Sequence, residues 1–160
     1  MSNDIGDEMQ DAFVVEDFDM MKKLILAGSS PNSADRRDGS PIILRAAVTR
    51  DLDMINFLIG QQADVDSRGP KGLTALHAAA LYGFVEILQR LIEAGSDTNA
   101  KDAEGATPFV FALASKDQGA TIGMAKILIA HGADKSVRNS QDRILLDVYK
   151  EITGKTYDGI

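Results

Sequence analysis

The segment Gly39-Ser40-Pro41-Ile42-Ile43-Leu44-Arg45-Ala46-Ala47 returns as Gly72-Leu73-Thr74-Ala75-Leu76-His77-Ala78-Ala79-Ala80. It returns again as Gly105-Ala106-Thr107-Pro108-Phe109-Val110-Phe111-Ala112-Leu113, and both steps are 33 residues. A second marker keeps phase with the first. It reads Leu91-Ile92-Glu93-Ala94-Gly95-Ser96-Asp97-Thr98-Asn99 in one copy and Leu128-Ile129-Ala130-His131-Gly132-Ala133-Asp134 in the next. Earlier copies are Leu24-Ile25-Leu26-Ala27-Gly28-Ser29-Ser30-Pro31-Asn32 and the weaker Leu58-Ile59-Gly60-Gln61-Gln62-Ala63-Asp64-Val65-Asp66. A unit of this size cannot bury its own apolar face. Neighbouring copies must stack to make a core, and contacts then run between adjacent copies. A chain of 160 residues has room for one such array.

These phased residues resemble the ankyrin-repeat family, whose pattern runs G-x-T-P-L-H-x-A-A-x-x-G and continues to a second helix ending L-L-x-x-G-A-D-x-N. The copy from Gly72 to Asn99 matches most of the fixed positions, with conservative changes at Leu88 and Ile92. The resemblance covers nearly the whole chain. It implies an all-α solenoid of helix-turn-helix units joined by hairpin-like loops, with about four to five repeats including degenerate caps. The register divides a single array over 1–160 into repeats 1–35, 36–68, 69–101, 102–138 and 139–160.

Within that register Thr74 and Thr107 sit where a hydroxyl can cap a first helix, and Pro108 follows at the first helical position. Ser40 and Pro41 offer the same pair one residue earlier, which predicts a shifted helix start. Ala46-Ala47 and Ala79-Ala80 keep the first helices thin, and Ile55, Leu58, Ile87, Leu88, Leu91, Ile127 and Leu128 give the second helices their bulk. Gly28, Gly95 and Gly132 fall where a left-handed residue closes a helix. Gln62 takes that slot in the second repeat, which predicts the weakest closure there. The N-terminal unit predicts helices near Asp7–Val15 and Asp17–Leu26, with acids outward. Asp142–Lys150 reads as a C-terminal cap. The polar stretch Lys116-Asp117-Gln118-Gly119 lengthens the fourth repeat and predicts a mobile excursion between its helices.

Little here points to chemistry. The chain has no cysteine, which removes disulfides, thiolate zinc sites and cysteine nucleophiles. His77 holds the histidine of the family's T-P-L-H, and the resemblance gives it a structural role toward backbone of its own and the next repeat. His131 reads as a cation near a helix C-terminus. No third ligand joins the two histidines, so no metal is expected. Gly154-Lys155-Thr156 imitates the end of a phosphate-binding loop, but Tyr149 stands where that loop needs glycine. No catalytic residue and no cofactor is predicted, and the reading is not an enzyme. The N-terminus has no basic start or apolar run, and no stretch is long and apolar enough to span a bilayer. The expected address is cytoplasmic, with the nucleus left open.

The net charge of -7, from 24 acids and 17 bases, argues against a general grip on nucleic acid or anionic lipid. Asp4, Asp7, Glu8, Asp11, Glu16, Asp17 and Asp19 all precede the first basic residue, Lys22, while Arg36, Arg37, Arg45 and Arg50 crowd the second repeat. That step in charge could orient a partner or pair internally. The resemblance implies non-catalytic protein binding, as adaptor or inhibitor, through the concave face and hairpin tips. The register maps Arg37, Asp38, Val48, Leu73, Leu81, Tyr82, Glu104 and Ala106 to that face. The expected partner is another protein, with no direct contact to nucleic acid or membrane, and the expected state is a monomer. The alternative is an acidic decoy that blocks a basic, nucleic-acid-binding protein through residues 4–19.

Overall fold

Small residues on the first helices decide how the units approach. Ala46, Ala47, Ala79 and Ala80 are completely buried, so at these positions the first helices come close to their neighbours. The computed structural model describes residues 5–138, 143–145, 147 and 150. Antiparallel pairs follow one another along the chain: α1 (Ile5–Val15) with α2 (Phe18–Leu26), α3 (Ile42–Val48) with α4 (Leu52–Gly60), α5 (Ala75–Tyr82) with α6 (Val85–Glu93), and α7 (Pro108–Leu113) with α8 (Thr121–Ala130). A single 3-10 turn occupies Pro70–Gly72. No strand occurs among the described residues, where extended pairing is confined to isolated bridges such as Ala34 with Pro41. The fold is the helical solenoid that the sequence predicts.

The main contacts run α3 to α5 to α7 along one side and α2 to α4 to α6 to α8 along the other. Ile55, Leu58, Ile87, Leu88, Leu91 and Leu128 fill the space between, joined by Met54 and Met124. Gly28, Gly95 and Gly132 close their helices with φ of 112°, 96° and 88°, and Gln62 does the same at 59°. The hairpin tips are tied in series. Asn32 accepts the Asp64 N–H (2.8 Å), Asp66 accepts the Asp97 N–H on both oxygens (3.1 Å each), and Asn99 accepts the Asp134 N–H (2.8 Å).

Several expectations need correction. Helix α3 starts at Ile42, in strict register with Ala75 and Pro108, so Ser40 and Pro41 do not shift it. Pro41 occupies the cap position, has no hydroxyl to offer, and makes no side-chain cap. Thr107 makes none either: its hydroxyl is buried without a partner. The third helical residue explains the difference from Thr74, because it is His77 in one repeat and Val110 in the other. The stretch after Ser115 is no free excursion. The Lys116 N–H donates to the Leu81 carbonyl (2.8 Å), and the Asp117 carboxylate takes the Gly119 and Ala120 N–H groups (2.9 and 3.2 Å). Asp117 packs where a side chain at Gly83 would sit, so the turn is folded down against the end of α5.

The N-terminal unit is joined differently from the others. Contact between α1 and α3 is slight. Met9, Ala12 and Phe13 still join the common core, and polar groups bridge beside them. Gln10 donates to the Ala34 carbonyl (3.1 Å) and accepts the Arg36 N–H (2.7 Å), Arg36 pairs with Asp7 (3.0 Å), and Arg37 reaches the Phe13 carbonyl (3.0 Å). Asp17 caps α2 by accepting the Met20 N–H (2.8 Å). Most of the expected cap over 139–160 lies outside the described residues, as does the Gly154-Lys155-Thr156 triplet. Within the described part, the Leu145 N–H donates to the Val137 carbonyl (2.9 Å).

Candidate functional site

The first helices and hairpins of repeats two to four enclose an open groove of about 300 Å³. Its apolar wall is Leu44 and Val48 from α3, Ala78, Leu81 and Tyr82 from the α5 segment, and Phe111 from α7, with Pro70 and Leu73 closing the hairpin side. Glu16, Asp38, Ser40, Arg45 and Thr49 form the polar end. Val48 is exposed, and Leu73, Leu81 and Tyr82 are half-buried.

One charged network shapes the polar end. Asp35 is only 1% exposed and carries two guanidinium groups. Arg37 Nη2 donates to it at 2.6 Å, and Arg45 Nη2 at 2.8 Å. Arg45 then reaches Asp38 (2.9 Å) and Glu16 (3.0 Å), so one side chain links the N-terminal turn to the groove floor. The hydrogen bonds from Arg37 outweigh the effect of burial and hold the Asp35 carboxyl down to about 2. Asp38 is also lowered, first by the Ser40 N–H. The arginine-rich step seen in the sequence is therefore largely internal pairing.

His77 fixes the opposite end. A backbone N–H can only donate, so the contact from Thr74 N–H to Nδ1 (3.2 Å) leaves that nitrogen unprotonated. Nε2 then carries the proton and donates to the Ala106 carbonyl of the next repeat (3.2 Å). Thr74 and His77 form a reciprocal capping box. Burial pushes the imidazole below its usual range and keeps it neutral. Phe111 meets the ring edge-on at 5.1 Å, which passes the position of the histidine to the groove wall. Tyr82 makes two ring contacts: it stacks on Phe84 at 5.6 Å and carries the Lys116 ammonium 4.2 Å from its ring centre.

Of the residues mapped from the register, Asp38, Val48, Leu73, Leu81 and Tyr82 line the groove, whereas Arg37, Glu104 and Ala106 do not. Arg37 is turned to Asp35 and Phe13. Ala106 is half-buried, donating its N–H to Asp102 (2.8 Å) and accepting from His77. Glu104 stands exposed on the hairpin turn. The register missed Glu16, Leu44, Arg45, Ala78 and Phe111. Arg45, Ala78 and Phe111 share one position of the first helix, at Gly plus six, which makes them a stripe along the stack, and Leu44 stands one residue before it. No cluster of metal-ligating side chains occurs among the described residues.

A solenoid of thin first helices, bulky second helices and a bridging histidine defines the class. Residues 9–102 and 43–139 match the family model for ankyrin repeats in three copies. The chain belongs to the ankyrin-repeat family. It is similar to the B-cell lymphoma 3 protein homolog of Mus musculus, at 32% identity over 121 residues, which is 72% of this chain and 26% of that protein. It is also similar to the RelA-associated inhibitor of Mus musculus, at 30% over 115 residues, 71% of this chain and 14% of that protein. Protein phosphatase 1 regulatory subunit 27 of Mus musculus is 30% identical over 99 residues, covering 61% of this chain and 62% of the relative. The chain thus spans about a quarter or less of the first two relatives. Ankyrin repeats generally mediate protein–protein interaction, and the family is generally non-catalytic.

Proposed function

We propose that the chain is a non-catalytic binding module, an adaptor or inhibitor, that holds a partner protein in the concave groove. One observation carries the reading. Val48, Leu73, Leu81 and Tyr82 meet in a single apolar groove that neighbouring repeats have already shaped. Little ordering entropy is lost on docking to such a surface, so a modest area suffices. Tyrosine and its apolar neighbours inside a polar rim have the make-up of an interface centre. The printed names of the relatives, an inhibitor and a regulatory subunit, suit this role. We include in the same proposal one array over 1–160, a monomeric state and a cytoplasmic address.

The test is Leu81→Glu combined with Tyr82→Ala. Helicity should persist, melting should shift by less than about 1 kcal/mol, and partner capture from the native source should be lost. A collapse in melting would make these residues part of the core and end the proposal. The acidic-decoy alternative predicts the reverse: binding that disappears with salt and ignores Tyr82→Ala. Within residues 4–19, Asp7 and Glu16 are already paired with Arg36 and Arg45.

A further inference from the structure

The large apolar side chains that stand exposed gather on the first helix pair. Of the six large apolar side chains exposed among the described residues, Ile5, Val14, Val15, Met20 and Leu26 belong to it, and only Val48 lies elsewhere. Val15 is 71% exposed. Val15 and Met20 flank a second groove of about 410 Å³ between α1 and α2, with Ala12 in its wall and Glu8, Asp11 and Asp17 at its edge. Glu8, Asp11, Ala12 and Val15 recur at helical spacing, so they form one stripe on α1. The acids of this unit divide by direction. Asp7 and Glu16 face the array and are paired there. Asp17 caps α2. Glu8 and Asp11 have no ion-pair partner among the described residues.

We propose that this groove is a docking site for a basic amphipathic helix of a partner protein, separate from the concave groove. A furrow between two helices takes a third helix, ridge into groove. Apolar residues three and four apart on that helix would cover Val15 and Met20, and flanking lysines or arginines would meet Glu8 and Asp11. A second copy of the chain is the poorer occupant. Two-fold pairing through this face would set Glu8 and Asp11 against their own equivalents, like charge against like.

The experiment titrates the isotope-labelled protein with a synthetic helical peptide of about 18 residues, leucine on one face and lysine on the other. Saturable amide shifts are expected at Ala12, Val15 and Met20. Val15→Glu with Met20→Glu should weaken binding about tenfold or more, whereas Leu81→Glu with Tyr82→Ala should leave it unchanged. Both altered residues are exposed, and an unchanged melting curve checks that the variant folds. Equal binding by a scrambled peptide of the same composition, or by a version with glutamate for lysine, overturns the proposal. So do shifts confined to the concave groove. A dimer in sedimentation that Val15→Glu with Met20→Glu dissolves would assign the face to a second copy, and would overturn it as well.

Discussion

Thr74 and Thr107 hold equivalent places one repeat apart, yet their hydroxyls have opposite fates. One sits 2.9 Å from His77 Nδ1, while the other is buried beside Val110 with nothing to bond. The same substitution should therefore act in opposite directions. Thr74→Val is expected to cost about 1–2 kcal/mol. Thr107→Val, which removes an orphaned buried hydroxyl while keeping its shape, is expected to be neutral or stabilising. Urea denaturation of both variants checks the pair. His77 makes a pH prediction at the same scale. Its folded-state pKa lies below the ordinary value of 6.5, so on acidification the unfolded chain takes up the proton first. Stability should be flat above that value and fall as pH drops below it, until the folded imidazole also titrates. Denaturation curves at about pH 7 and pH 5.5 should show this loss, and His77→Gln should lower stability while abolishing the difference.

At the scale of elements, the hairpin ladder carries one discordant rung. Asn32 and Asn99 supply neutral acceptors to the next hairpin, and Asn99 Nδ2 also donates to the Gly132 carbonyl (2.8 Å). Asp66 holds the same place with a carboxylate. Burial, with Asp97 and Asp64 nearby, pushes its pKa up, so its charged form opposes folding at neutral pH. Asp66→Asn keeps the acceptor, drops the repulsion and supplies a donor. It should raise stability by about 0.5–1 kcal/mol, read as an upward shift in melting temperature. The alanine pairs were legible in the sequence because they repeat at a step of 33 residues, and the helix-closing glycines because each keeps its place behind a Leu-Ile pair; the hairpin ladder was not read from it. The inward turn of Arg45 and the seating of Lys116 over Tyr82 were not. A repeat register says which way an average side chain points, whereas Arg45 is set by its own ion pairs with Asp35, Asp38 and Glu16, and Lys116 by the residues that lengthen the fourth repeat. For the same reason Arg37 looked like a surface contact until Asp35 claimed it.

For the whole molecule, the uneven joint is the one between repeats one and two. Among the described repeats the first helices α3, α5 and α7 pack directly, but α1 is fastened largely through Gln10, Asp7, Glu16 and the Asp35 network. The lowered pKa of Asp35 means that this contribution is complete above the ordinary aspartate value of 3.8 and drains away as pH falls toward about 2. Hydrogen exchange over that interval should show α1 and α2 losing protection before α5 and α6. Asp35→Ala should produce the same early release at neutral pH, at about 3 kcal/mol, the low end for breaking a buried pair because Arg37 is half-exposed. A train of carriages parts at its loosest coupling. Drawn out mechanically by its two ends, this molecule should yield its leading helix pair in a first small rip while the rest stays whole, so tension alone could uncover the flank of α3 before any other surface.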